Sequence, residues 1–188
     1  MNYPEKDSDE ERGRVLSRYE PFVAAARRFV TLIEQDNDDK SPKAFLLELI
    51  GRMLEVAKHG LLLDYAYIDR DDFDAKPYDN HGQEYANCKE HIEQLLALMI
   101  QGAKVEYMDY EPDIVRIHMF SGDISDLYSD LAFGLRLWDL GSIDSRGEAC
   151  WQWAFSKSHW HDHLYGALLG ANLMRFAGDP SGMAESTK

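Results

Sequence analysis

Apolar residues recur at helical spacing over most of this chain. Val15, Tyr19, Phe22, Ala26, Phe29 and Ile33 alternate steps of four and three, which places them on one face of a helix over about 15–35. Pro21 fits best as the first residue of the helix proper, so the turn before it reads as a separate piece. A second helix opens at Ser41-Pro42, a serine N-cap followed by proline at the first helical position. Its apolar set (Phe45, Leu46, Leu49, Ile50, Met53, Val56, Ala57, Leu61) is too broad for one stripe, which predicts a central helix. A third is predicted over roughly 83–100, with Tyr85, Cys88, Ile92, Leu95, Leu96 and Met99 facing inward and Gly102 closing it.

Residues 103–120 break the pattern. The alternation of Val115, Ile117 and Met119 allows a small strand, but Pro112 and the acids around it favour an irregular crossover. A fourth helix follows Ser121-Gly122, with Asp123 placed where negative charge suits the helix dipole. Ile124, Leu127, Tyr128, Leu131, Leu135 and Trp138 form its buried stripe, and Gly141 stops it. The last helix is predicted over about 145–177, roughly 50 Å long if unbroken. Trp151, Trp153, Phe155, Trp160, Leu164, Leu168 and Met174 surround much of its circumference, and Gly166 and Gly170 are its natural bending points. The pattern therefore predicts an all-α protein: a single-domain bundle of about five helices over 15–177, with a long, largely buried C-terminal helix. Polar, turn-rich ends at 1–14 and 178–188 read as disordered tails.

Composition narrows the functional classes. Apolar residues are 45% and aromatics 12% of the 188 residues, enough for a packed interior. Lysine plus arginine number 20 against 34 acids, a formal net charge of −14. That excess repels phosphate backbones and anionic bilayers, so neither general nucleic-acid binding nor membrane binding is expected. No apolar run is long enough to span a bilayer, and the acidic opening MNYPEKDSDEER does not read as a secretory signal. Cys88 and Cys150 make no disulfide framework, so a reduced, cytoplasmic setting is expected.

Histidine is concentrated at Ser158-His159-Trp160-His161-Asp162-His163. His159 and His163, four apart, share a helix face, and His161 points to the other side. On the fourth helix Asp126 and Asp130 are also four apart. Facing pairs of this kind either build a divalent-metal site or form a hydrogen-bonded polar layer between helices. The polar layer is the stronger reading, because neither H-E-x-x-H nor E-x-x-H is present and a metal needs a further ligand. No cofactor is required by anything else in the sequence.

The second feature is acidic surface. Asp69, Asp71, Asp72 and Asp74 cluster in one stretch, and Glu106, Asp109, Glu111 and Asp113 in another. Such faces serve solubility, or dock a basic partner protein whose charge they complement. Calcium is excluded at Asp69–Asp74, since the sixth loop position is Asp74 where glycine is needed and the twelfth is Asn80. Neither cysteine lies in a nucleophile signature, and no Walker, G-x-S-x-G or G-x-G-x-x-G motif occurs, so no catalytic residue is assigned.

The C-terminal part resembles a known family. Asp126-Leu127-Tyr128-Ser129-Asp130-Leu131, followed by Trp151-x-Trp153-x-Phe155-x-x-x-His159-Trp160, is similar to the hallmark of the bacterial DUF5063 domains of unknown function. His163 falls at that family's second histidine, and His161 stands where the family has glycine. The likeness extends over roughly 105–173 and is topological before that. It implies a mostly helical bacterial protein of about this length and brings with it no activity, cofactor or catalytic residue. The expected function is thus a non-enzymatic protein-binding module, immunity- or antitoxin-like or a regulatory adaptor. The competing expectation is a metal-binding bundle, enzymatic or not, built on His159 and His163 with Asp126 or Asp130.

Overall fold

The computed structural model describes residues 9–35, 40–63, 90, 106–111, 114–155 and 157–177. They form six helices and one hairpin: α1 (Asp9–Ser17), α2 (Glu20–Glu34), α3 (Pro42–Gly60), β1 (Glu106–Glu111), β2 (Ile114–Met119), α4 (Phe120–Asp139), α5 (Ile143–Phe155) and α6 (Lys157–Ala177). The architecture is all-α and single-domain. The acid-rich stretch 64–79, the helix expected over 83–100 and the ends at 1–8 and 178–188 lie outside the described residues, apart from Glu90, which is helical.

Local sequence explains most of the boundaries. Ser41 caps α3 by accepting the Ala44 backbone N–H at 3.3 Å, with Pro42 opening the helix. Pro21 sits in the first turn of α2, and α1 is indeed a separate piece. Gly141, at φ +81°, ends the α4 segment in a conformation that side chains with a Cβ rarely adopt. Ser142 then starts α5 by accepting the Ser145 N–H at 3.0 Å.

Three expectations change. Residues 9–14, which read in the sequence as part of a tail, form the body of α1: acids in its first turn suit the dipole, Leu16 is buried, and Arg12 pairs with Asp144 of α5. The crossover contains a regular antiparallel hairpin, Glu106 opposite Met119 and Glu111 opposite Ile114. The Val115, Ile117, Met119 alternation is real strand, and Pro112 lies outside the described residues. The predicted single C-terminal helix is two helices, Ile143–Phe155 and Lys157–Ala177. Its break is stitched by Trp160, whose indole N–H donates to the Trp153 carbonyl at 2.9 Å. That carbonyl belongs to the last turn of α5, where helix geometry leaves acceptors without a partner. Lys157, nearly buried, ties the start of α6 to the end of α3 by donating to the Leu63 carbonyl at 3.0 Å.

Helix α4 is central, touching α2, α5, α6 and β2, while α2 packs on α3 and α3 on α6. The core is aromatic. Phe22 lies edge-on to Trp153 (5.2 Å between centroids) and 5.4 Å from Trp160, all three rings fully buried. Gly60 on α3 faces Trp160 and Gly134 on α4 faces Trp153, so close that a Cβ on either would overlap the indole. Among the described residues, no helix is long and apolar enough to cross a membrane.

Candidate functional site

Two polar rows meet where the first half of α4 faces the first half of α6. On α4, Asp123, Asp126 and Asp130 follow the three-and-four spacing that keeps side chains on one face. On α6, His159 and His163 are one turn apart. Asp130 bonds His159 Nδ1 at 2.8 Å, and Asp123 bonds His163 Nδ1 at 2.8 Å. The lower number on one helix pairs with the higher on the other, so the two run antiparallel here. Asp126 lies alongside, 3.8 Å from His163 Nδ1.

The imidazoles also meet each other. His163 Nε2 lies 3.3 Å from His159 Nε2, with the rings at 74°. The result is a continuous chain, Asp130–His159–His163–Asp123, running from the surface inward: the His159 side chain is 59% exposed and that of Asp123 only 2%. With each Nδ1–H donated to a carboxylate, each Nε2 is left with a lone pair aimed into the gap between the rings. One further proton held in that gap makes an Nε2–H···Nε2 bond and places a positive charge between two carboxylates.

Electrostatics follow this layout. Burial alone disfavours the His163 imidazolium, but the Asp123 hydrogen bond and the charges of Asp126, Asp123 and Asp130 outweigh it, and its pKa rises above the usual 6.5. Burial raises the carboxyl pKa values of Asp123 and Asp130 above 3.8, against the lowering pull of their histidines. His161, on the other side of α6 with its ring 4.0 Å from that of Trp160, moves the opposite way, lowered first by burial and then by Lys157.

These directions set a pH dependence. A histidine raised above 6.5 in the folded state binds its proton more tightly there than in the unfolded chain. Its stabilisation is complete below 6.5 and is lost as pH rises through the folded value. Asp123 and Asp130 act in the same direction in their own lower window, starting at 3.8. His161 acts oppositely and below 6.5. In chelator, the melting temperature should therefore fall as pH rises above 6.5, and His163→Gln should flatten that decline. A wild-type profile that is level or rising over this range refutes the assignment.

The expected residues divide clearly. His159, His163, Asp126 and Asp130 are brought together as one rung, with Asp130 as a direct partner and Asp126 at its flank. Asp123, read from the sequence as a dipole partner only, is the second anchor. Its signal was its position seven residues before Asp130, two turns along the same face. Glu106, Asp109 and Glu111 lie on β1, with Asp109 paired in register with Arg116. Asp69, Asp71, Asp72, Asp74 and Asp113 lie outside the described residues. Cys150 is buried and burial drives its thiol pKa up, which keeps it protonated and unfit as a nucleophile.

The comparisons agree with this architecture. The family described as a domain of unknown function, DUF5063, matches residues 17–170, a span that contains the whole rung. The crystal structure of protein BF1032 from Bacteroides fragilis is similar with a TM-score of 0.66, over 87% of this chain and 95% of that one. At 15% identity that likeness speaks for the fold alone. No curated protein matches the sequence.

Proposed function

Because the chain belongs to the DUF5063 family, whose description names no activity, we propose a function from the rung itself: uptake of a divalent transition-metal ion between His159 and His163. One observation carries the reading. Two nitrogens each held about 2.0–2.1 Å from a tetrahedral zinc lie about 3.3–3.4 Å apart, and the two Nε2 atoms stand 3.3 Å apart. Both rings also have Nδ1 fixed by a carboxylate, the outer-shell arrangement that orients metal-binding histidines. Among the described residues no group of three or more His, Cys, Asp or Glu side chains is placed to hold a metal. The two imidazoles are then the protein donors, and water or a partner's group completes the coordination. A metal so held would keep open positions on the solvent side, where His159 is exposed.

Metal and proton compete for the same gap, so uptake releases a proton and weakens on acidification. Untagged protein, stripped and then given zinc at about a hundredfold excess over the dissociation constant, should gain about 2.7 kcal/mol of stability, or roughly 5–10 °C in melting temperature. His163→Ala should abolish the gain. Less than about a tenth of an equivalent of zinc, iron or manganese after purification, with no response of melting to zinc or chelator, removes the reading.

A second reading is favoured by charge. With 34 acids against 20 bases, the chain suits a basic protein partner in the bacterial cytoplasm, as an immunity- or antitoxin-like neutraliser or a regulatory adaptor. In that case the rung is a structural clasp between α4 and α6, and the partner is captured in a salt-dependent manner.

A further inference from the structure

A cleft of about 570 Å³ opens between α2, α3 and the corner joining α4 to α5, well within the size range of small-molecule sites. Its walls are unusual for so acidic a protein: four arginines line it, Arg27, Arg28, Arg52 and Arg146, against Glu20 and Glu48. Three of the four are neutralised. Arg27 grips Asp139 with both terminal nitrogens (2.9 and 2.6 Å), Arg28 bonds Glu55 at 2.8 Å, and Arg52 bonds Glu48 at 3.2 Å.

Arg146 differs. Among the described residues no carboxylate forms an ion pair or hydrogen bond with it, although the Asp139 carboxylate, held by Arg27, lies near enough to feel its charge. Its guanidinium stands over the Trp138 ring, 5.2 Å from the centroid, and its Nε is buried with no hydrogen-bond partner. A guanidinium is charged at every accessible pH and offers a planar fork of donors, so a half-buried one that lacks an acceptor is suited to receive an oxyanion. The uncharged wall combines apolar Val23, Ala24, Leu32 and the Trp138 ring with Thr31 and Gln35.

We infer that this cleft binds a small organic anion, a carboxylate or phosphate head group on an apolar body. Arg146 holds the head group and Trp138 with Val23 and Leu32 holds the body. The Arg27–Asp139 and Arg28–Glu55 pairs are about half exposed, and pairs of that kind are weak enough to open and lend a second arginine to the ligand. The cleft shares no residue with the histidine rung and does not depend on any metal there.

The test is calorimetric titration of the full chain at low salt with phenyl phosphate, benzoate and inorganic phosphate, read in parallel by tryptophan emission. Phenyl phosphate or benzoate should bind one site with a dissociation constant below about 1 mM, and the tighter of the two identifies the head group. Arg146→Gln should weaken binding at least about tenfold, the loss expected for a hydrogen bond to a charged group. Arg14→Gln, on exposed α1, should leave it unchanged. Where Arg146→Gln does not fold, the Arg146 Nε–H resonance of the wild-type chain should shift on saturation while that of Arg14 stays in place. Three results overturn the inference: no saturable binding up to about 10 mM, no loss in Arg146→Gln with no shift of its resonance, or inorganic phosphate binding as tightly as phenyl phosphate.

Discussion

Trp160→Ala is expected to destabilise the protein by about 3–5 kcal/mol, the range for removing a large aromatic from a core that cannot collapse around the gap. The ring is fully buried against Phe22 and against Gly60 on α3, so its loss opens a cavity at the meeting of α2, α3 and α6. It also strips the Trp153 carbonyl of its donor at the α5–α6 break. Trp160→Phe separates the two contributions. It restores much of the volume but leaves the carbonyl unpaired, and should cost about 1–3 kcal/mol. Urea denaturation measures both. A loss below about 1 kcal/mol for the alanine variant contradicts the packing described for α6.

The second large effect is expected from an addition. A Cβ on Gly134 would lie 2.2 Å from one atom of the Trp153 ring and 2.3 Å from its Nε1, distances no relaxation of a rigid indole removes cheaply. Gly134→Ala gains about 1 kcal/mol of helix propensity yet should lose about 1–3 kcal/mol or more to overpacking, for a net destabilisation. Gly51→Ala on α3 is the control. Nothing lies within 4 Å of its added methyl, so propensity alone acts and the protein should become more stable by up to about 1 kcal/mol. Chemical denaturation of the pair should give opposite signs. The same sign for both means that α4 does not approach Trp153 as described. Combining Gly134→Ala with Trp153→Phe should cost less than the sum of the two, because the smaller ring vacates the contested space.

The rung shows how far spacing alone reaches. Four-residue steps placed His159 and His163 on one face and Asp126 with Asp130 on another, and both rows do face each other. The anchor Asp123 was assigned to the helix dipole, because its distance from His163 is a property of how α4 and α6 cross, which no local pattern encodes. The arginine cleft was invisible for the same reason. Arg27, Arg52 and Arg146 come from three helices, and each one alone is an ordinary surface charge.

Periodicity by itself determined that the chain is helical, where α2 and α3 begin, and that Trp138, Trp153 and Trp160 are core; α4 starts at Phe120, ahead of the expected Ser121-Gly122 start, and Trp151 is only partly buried. These outcomes follow from interactions within one or two turns: caps, proline at a first turn, and the burial of one apolar face. Only tertiary structure decided that the C-terminal run divides into α5 and α6, where Trp160 bonds the Trp153 carbonyl while filling the space above Gly60. Only tertiary structure drew residues 9–14 into α1 through Arg12 and Asp144, and set two imidazole nitrogens 3.3 Å apart. Each of these is fixed by contacts between elements distant along the chain, and sequence spacing carries no record of such distances.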